Sequence, residues 1–425
     1  MQKTQKEVTP LKDLEIQVHQ AKDACHETAR ASTASKNAVL ESMARLLEKK
    51  RSEVLSANRK DLDRSRAHGL NDNMMRRLLF DDQKIEGCIL ALRRIADLPD
   101  PVGQLEQFSL RPNGLQVARM RIPIGVLLMI YESRPHVTLN AGAFAIKSGN
   151  TLLLKGGSEA RECNALLGEF WKISLQAAGL PENAIQVISG NHEQIAHLLG
   201  LSHLIDLVIP RGGKGLIEGI VKQSRIPVIK HYQGICHVYV GADSDTSMAQ
   251  HIVLDSKLLM PEVCNAAECV LLDTRAPQKA QTLVKALIQN GVEVRGCSSL
   301  VEMCQGVIQA TEKDFETEHL DLVISAKMVA GLDEAIAHIH KYGSGHTESI
   351  VTGRYDHAQR FLREVDSSVV LVNASTMFCD GNSLGMGAEI GISTDRLHAR
   401  GPMGLRELTT YKFVIQGDGQ IMGTR

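Results

Sequence analysis

The 425-residue chain is poor in several things, and each shortage removes a class of protein. Aromatic residues make up only 4% against 43% hydrophobic residues, so its cores are aliphatic and an aromatic-rich β-sandwich is disfavoured. Net charge is almost nil: 48 Lys and Arg face 49 Asp and Glu, giving −1. No cationic excess exists to drive binding to nucleic acid or anionic lipid. No stretch reaches the roughly 20 apolar residues that a bilayer demands, and the best run, 122–131, is interrupted by Pro123 and Gly125. Nine Cys, an odd number, include no CxxC pair, which argues against a disulfide framework and a zinc knuckle. The first residues carry charge with no apolar segment behind them, so no secretory signal is read. The expectation is a reduced, cytosolic protein with no nucleic acid, no membrane and no metal among its partners.

What is present is a change of rhythm. Residues 8–96 are helical in pattern, with Leu14, Val18, Ala21 and Cys25 on one face and Leu40, Met43, Leu46 and Leu47 on the next. Pro99-Asp100-Pro101 closes that region. Alternation over 105–121 around Pro112-Asn113-Gly114 predicts a hairpin. The apolar run 125–131 predicts a buried strand, and 135–147 a helix. Strands over 151–155, 185–188 and 204–209 then alternate with helices over 158–178, 192–199 and 213–224. Such repeats imply a parallel sheet with helices on both faces. After Pro227 a second α/β region follows: strand 236–240, a helix from Asp245, helix 277–290, strand 320–324, helix 329–341 and strand 369–373. The tail from Gly381 is Gly-rich and ends in a strand over 412–416.

Some motifs fail on spacing. His192 and His197 lie five apart, off the face a zinc helix needs, so that segment reads as a solvated helix. No P-loop is present, and no run satisfies GxGxxG between a strand and a helix. Two loops are more informative, because ligands of parallel sheets gather beyond the carboxyl ends of the strands. Lys155-Gly156-Gly157-Ser158-Glu159 leaves a strand and opens a helix, with Ser158 read as its N-cap. The bland reading is a tight turn with a surface lysine; the functional one is a ribose or phosphate site. Arg211-Gly212-Gly213-Lys214 repeats the setting, and together the loops favour a dinucleotide groove. Among the thiols, Cys264 follows a Pro turn in Pro261-Glu262-Val263-Cys264-Asn265. Small neighbours there can expose the sulfur and let amide N–H groups face a developing oxyanion. Cys269, followed by Val-Leu-Leu, reads as core. The Gly-rich block from Asn373 to Pro402 reads as a ligand-closing loop, with Glu389 placed to accept hydroxyl hydrogen bonds.

Ordered blocks along nearly the whole chain carry a resemblance. Ile130-Tyr131-Glu132-Ser133-Arg134-Pro135, the Lys155 and Arg211 loops, Gly234-Ile235-Cys236-His237, Val263-Cys264-Asn265, Asn373-Ala374-Ser375-Thr376 and Gly387-Ala388-Glu389 are among them. In these the chain resembles the γ-glutamyl phosphate reductase family of the aldehyde dehydrogenase superfamily. The resemblance implies an α/β fold of the aldehyde dehydrogenase type. A Rossmann-type cofactor domain would cover 1–230 and an α/β catalytic domain 231–400, with a small oligomerisation element joining hairpin 104–122 to tail 401–425. It implies NADPH-dependent reduction of L-glutamyl 5-phosphate to L-glutamate 5-semialdehyde and phosphate, the second step of proline biosynthesis. Cys264 would be the nucleophile, with Asn265 beside the oxyanion. Lys155, Gly156, Ser158, Arg211, Gly212 and Gly213 would hold NADPH or NADP, and Glu389 the nicotinamide ribose. Arg134, Asn373, Ser375 and Thr376 would hold the substrate. A homo-oligomer, dimer or tetramer, and an association with glutamate 5-kinase are further implications.

Where hydrolytic relatives carry a water-activating glutamate, the stretch 231–236 has no carboxylate, which predicts slow thioester hydrolysis. Met377 and Met260 stand where the family usually has Arg, and Asn140 where Asp is common. Met lacks the bidentate grip of Arg, so either substrate affinity falls or another cation such as Arg134 compensates. Two rival readings stand beside this one: a CoA-acylating aldehyde dehydrogenase, and a catalytically inactive partner of glutamate 5-kinase.

Overall fold

The structure, a computed structural model, describes residues 11–230 and 232–423. The helical reading of 8–10 and the place of His231 lie outside the described residues. The chain forms two units. One takes the described residues through Ile229, Met386–Gly391 and the described residues from Met403 onward; the other takes those of Lys230–Gly385 with Ile392–Pro402.

The first unit opens with helices α1 (Leu11–Arg30), α2 (Thr33–Lys49), α3 (Arg51–Ala67), α4 (Asp72–Leu78) and α5 (Asp82–Asp97). Ser32, Asn71 and Asp81 cap three of these starts, each side chain accepting a nearby main-chain N–H. The hairpin pairs β1 (Leu105–Leu110) with β2 (Gln116–Pro123), and its turn uses Gly114 at φ +87°. Then come β3 (Val126–Tyr131), α6 (Pro135–Lys147), β4 (Thr151–Gly156), α7 (Arg161–Ala177), β5 (Ile185–Val187), α8 (His192–Leu198), β6 (Leu207–Arg211) and α9 (Lys214–Gln223). These strands form a parallel sheet in the order β5-β4-β3-β6. Every residue of β3 is buried, because a central parallel strand is covered on both faces. Leu14 and Val18 of α1 and Ile220 of α9 share a cluster with Val126, Leu128 and Ile130. Each such side chain contributes roughly 1.5–3 kcal/mol on burial.

Two expectations in this unit need correction. The strand read over 204–209 runs Leu207–Arg211, so Arg211 ends the strand itself. Ser158 does not cap α7: Ser158–Ala160 form a 3-10 turn, and α7 begins at Arg161. The N–H groups of Glu162 and Cys163 donate instead to the buried Asp61 carboxylate of α3, at 3.1 and 2.9 Å. An ionised acceptor outcompetes a serine hydroxyl for helix-start donors.

The second unit contains β7 (Cys236–Val240), α10 (Thr246–Leu258), β8 (Ala267–Asp273), α11 (Pro277–Gln289), β9 (Glu293–Gly296), α12 (Ser298–Met303) and β10 (Ile308–Gln309). It continues with α13 (Glu312–Phe315), β11 (Val323–Val329), α14 (Leu332–Tyr342), β12 (Thr347–Val351), α15 (Tyr355–Glu364) and β13 (Val369–Val372). The strands make a seven-stranded parallel sheet, β10-β9-β11-β8-β7-β12-β13. Val238, Val240, Val270 and Leu272 join one hydrophobic cluster with residues of α10 and α11. Tyr239, Leu271 and Ile350 join another with residues of α14 and α15. The strand read over 320–324 lies at Val323–Val329, because Leu320, at φ +53°, cannot extend and belongs to the entering loop.

The chain returns through β14 (Gly391–Ser393) and β15 (Gly401–Met403) to β16 (Thr409–Gln416). β16 pairs antiparallel with β2 and completes the sheet β1-β2-β16 of the first unit. Leu105, Phe108, Leu110, Phe413 and Ile415 on it are exposed. Among the described residues no helix is long and apolar enough to cross a membrane.

Candidate active site

The turn between α10 and β8 carries Cys264. None of the nine cysteines is in a disulfide, and only Cys25, Cys264 and Cys297 escape full burial. Burial pushes the Cys25 thiol up and drives Cys88 and Cys163 to about 12, which keeps those sulfurs protonated and unreactive. Cys297 accepts the Met328 N–H at the start of α12. Cys264 instead sits half-buried on an irregular turn that follows Pro261.

Its main chain is firmly held. The Cys264 carbonyl oxygen accepts from the Cys236 thiol at 3.2 Å. A Cβ on Gly234 would collide with that oxygen, so only glycine permits the approach. Gly234 N–H donates to Glu318 at 2.8 Å, and Ile235 N–H to Ser344 at 2.9 Å. Glu318 was not legible beforehand. The described part of the stretch 231–236 has no carboxylate of its own, but the loop after α13 delivers one to it, and no spacing marks that encounter.

Asn265 uses its side chain as a clasp, with Nδ2 donating to the carbonyls of Met377 and Cys379, each at 3.2 Å. Both amide hydrogens are committed, so a donor from this residue to an oxyanion is its peptide N–H. Asn373, at φ +52°, pairs both ends of its amide with the Thr352 peptide, at 2.9 and 3.0 Å. Ser375 caps the turn Thr376–Phe378 and meets the Ser256 hydroxyl at 3.1 Å. Thr376 N–H donates to Ser256 Oγ, while its own hydroxyl is buried without a hydrogen-bond partner. The structure therefore ties Asn373 and Ser375 into the scaffold. Met377 is buried, whereas Met260 is largely exposed.

Charge is buried on either side of the Cys264 turn. Lys257 of α10 and Glu268 of β8 pair at 2.9 Å with both side chains enclosed. Burial raises the Glu268 carboxyl to about 7, against the pull of Lys257. His237 of β7 donates its Nδ1–H to Glu348 of β12 at 3.0 Å, and its N–H to the same oxygen at 2.7 Å. Burial opposes charge on His237, but Glu348 outweighs it and lifts the imidazole to about 10.

In the first unit a cavity of about 460 Å³ opens at the carboxyl ends of β4 and β5, lined by Lys155, Gly156, Ser158, Arg161 and Lys172 among others. Burial pushes the Lys155 ammonium down, with Glu159 and Glu132 opposing. Arg64 donates to the carbonyls of Ser158 and Glu159, each at 3.2 Å, and pairs with Asp61, so α3 fixes this loop. Neither α3 residue carries a signal in the sequence, where both read as polar surface.

Arg211, Gly212 and Gly213 do not line that cavity; they leave β6, across β3 from β4. Gly213 is the N-cap of α9, and its N–H donates to Glu132 at 2.9 Å. A carboxylate thus holds the position expected for a phosphate at that helix start. The Arg211 guanidinium lies against Gly391, which brings it to the segment bearing the half-buried Glu389. Arg134 is the N-cap of α6. Burial, and to a lesser degree the positive charges of Lys84, Arg134 and Arg211, push the adjacent His136 down to about 4, so three cations stand near that helix start.

Repeated βα units in both parts, with a half-buried cysteine at a strand entrance, are matched by the aldehyde dehydrogenase family model over residues 8–294, and the chain belongs to that family of oxidoreductases. A gamma-glutamyl phosphate reductase of Solidesulfovibrio magneticus is 47% identical over 414 residues, 97% of this chain and 99% of that protein. One of Caldanaerobacter subterraneus subsp. tengcongensis is 44% identical over 411 residues, 96% of this chain and 99% of that protein. The crystal structure of gamma-glutamyl phosphate reductase from Thermotoga maritima matches with a TM-score of 0.94 at 41% identity, covering 96% of this chain and 100% of that one. Within the aldehyde dehydrogenases, the chain falls among the gamma-glutamyl phosphate reductases.

Proposed function

We propose that the chain reduces L-glutamyl 5-phosphate to L-glutamate 5-semialdehyde with release of phosphate, using NADPH, as the second step of proline biosynthesis. The observation that carries this reading is Cys264, half-buried on the turn entering β8, with its carbonyl held by Cys236 and its flank clasped by Asn265. The thiolate attacks the acyl-phosphate carbon, the bond to the phosphate oxygen breaks, and phosphate departs with the electron pair. A thioester remains on Cys264. NADPH, when bound, supplies the hydride that this thioester accepts. The resulting hemithioacetal collapses to the aldehyde and returns the thiolate.

Lys155, Ser158 and Arg161 would hold the adenosine end of the cofactor, and the cations around their cavity favour a 2′-phosphate. Arg211, Gly212, Gly213 and Glu389 would serve its remaining length, with Glu132 yielding its place on Gly213. The cationic field around Arg134 suits an anionic substrate group and supports the compensation expected for Met260 and Met377. Glu318 is engaged by the Gly234 N–H, and the described part of 231–236 carries no carboxylate of its own, which supports slow thioester hydrolysis. The exposed apolar residues of β1 and β16 support a homo-oligomer built on that sheet.

The reverse reaction tests this. Glutamate semialdehyde, NADP and inorganic phosphate should yield NADPH, and CoA in place of phosphate should not. Reduction that needs CoA and ignores phosphate would reassign the enzyme as CoA-acylating. A proline auxotroph should be rescued by the native chain and not by Cys264→Ala; rescue by neither would favour the inactive-partner reading.

A further inference from the structure

We propose that His237, Cys269 and His338 form a binding site for a borderline-soft divalent cation, zinc, within the second unit. The site is assembled by sheet register. Glu348 of β12 stands opposite His237 of β7, and His237 stands opposite Cys269 of β8. Neighbouring strands lie about 4.8 Å apart, so these side chains form one row on one face. His338, from α14, packs onto that row: its Nε2 lies 3.8 Å from the Cys269 sulfur, and its ring meets that of His237 edge-on with centroids 5.5 Å apart. One donor atom from each of the three residues falls within 4.8 Å of the others.

The chemistry of the donors points the same way. His237 and Cys269 are 0% exposed and His338 4%. Glu348 takes the Nδ1–H of His237 at 3.0 Å, which fixes the tautomer and leaves Nε2 to face the cluster. That Nε2 is buried with no hydrogen-bond partner, a costly state for a polar nitrogen, and a bound cation would take the place of the proton that Glu348 otherwise favours on the ring. A carboxylate behind a histidine is the usual outer support of a metal-bound imidazole, since it orients the ring and strengthens its basicity. Two imidazoles and a thiolate suit zinc in a tetrahedral arrangement, with a water in the fourth place. Charge also closes: one dication balances the Cys269 thiolate and the Glu348 carboxylate.

Three protein ligands with one open place resemble a catalytic zinc, but this cation would sit apart from the Cys264 turn and act by holding elements together. Cys236 and His237 are consecutive on β7, so their side chains leave opposite faces. Cys236 reaches the Cys264 carbonyl, while the cluster shares its face with Tyr239 and α14. Zinc there would pin β7, β8 and α14 without entering the chemical step. Nothing in the sequence announces it, because the ligands are spread over 237–338 with no recurring spacing. The earlier expectation of no metal rested on spacing alone.

The test uses the full chain expressed in zinc-supplemented medium, desalted and assayed for metal by mass spectrometry. Retention of about one equivalent per chain is expected. Chain produced with cobalt should show the d–d bands of a tetrahedral ion and a thiolate-to-cobalt charge-transfer band. Cys269→Ser should lose that band and the retained metal, and Cys264→Ser should keep both. Below about 0.1 equivalent in the native chain, the proposal fails and a protonated His237 bridging Glu348 and Cys269 takes its place. A band that survives Cys269→Ser, or is lost with Cys264→Ser, also overturns it. Should Cys269→Ser not fold, zinc-edge absorption of the native chain decides: one sulfur with nitrogen ligands supports the site, and a shell without sulfur refutes it.

Discussion

The two parallel sheets repeat the same βα unit yet keep opposite interiors. In the first unit, β3 is buried and aliphatic along most of its length, β4 adds Leu152, Leu153 and Leu154, and Lys155 and Arg211 stand only at strand ends. In the second, His237, Glu268 and Glu348 are buried within strands and paired with Lys257 or with one another. An aliphatic sheet can serve only at its rim, where backbone donors and loops meet a ligand. A sheet with paired charge inside can hold a turn in place from beneath, but every pair must stay complete.

Cys264→Ala should separate rim from interior most sharply. Turnover is expected to fall by about 10³-fold or more, with NADPH affinity unchanged in a fluorescence titration. A matching loss of NADPH binding would erase the division of labour between the units. Next comes Lys257→Met, which leaves Glu268 buried without its partner. Urea unfolding should register a loss of about 3–5 kcal/mol, most of it recovered when Glu268→Leu is added. A single-variant loss near zero would show that the interior tolerates unpaired charge.

Acid and base should act on the two units with opposite sign. Burial raises Glu268 from 4.5 to about 7, so the native state holds that proton more tightly, and its contribution to stability declines as pH rises from 4.5 to about 7. Burial and nearby cations lower His136 from 6.5 to about 4, so the native state sheds that proton, and its contribution declines as pH drops from 6.5 to about 4. Urea midpoints across this range should show Glu268→Gln removing the first slope and His136→Gln the second, each worth about 3 kcal/mol. Parallel curves for both variants and the native chain would contradict the assignment. The smallest effect belongs to the rim: Lys155→Met should weaken NADPH binding about tenfold, with kcat at saturating cofactor changed less than about twofold.

The same contrast explains what could be read in advance. Strands of the first unit announce themselves as apolar runs between helical stretches, and helix α6 was placed to the residue. β12 escaped notice because Thr347-Glu348-Ser349 looks like surface, although all of it is buried. Its polarity is satisfied by partners far along the chain, which periodicity cannot encode. Cys264 stood out in the sequence because a Pro turn precedes it, and the structure leaves it half-buried on that turn. Asp61, Glu318 and the Lys257–Glu268 pair were not, because each acquires its role from a tertiary encounter. The Ser158 cap failed for the same reason, a distant carboxylate displacing the local candidate.

One consequence of the small antiparallel sheet concerns handling. β1 and β16 are its two edges, and both present bare ladders flanked by large apolar side chains. The homo-oligomer proposed on this surface would bind only folded chains, so the melting temperature should climb with protein concentration. A dilute stock should then age faster than a concentrated one.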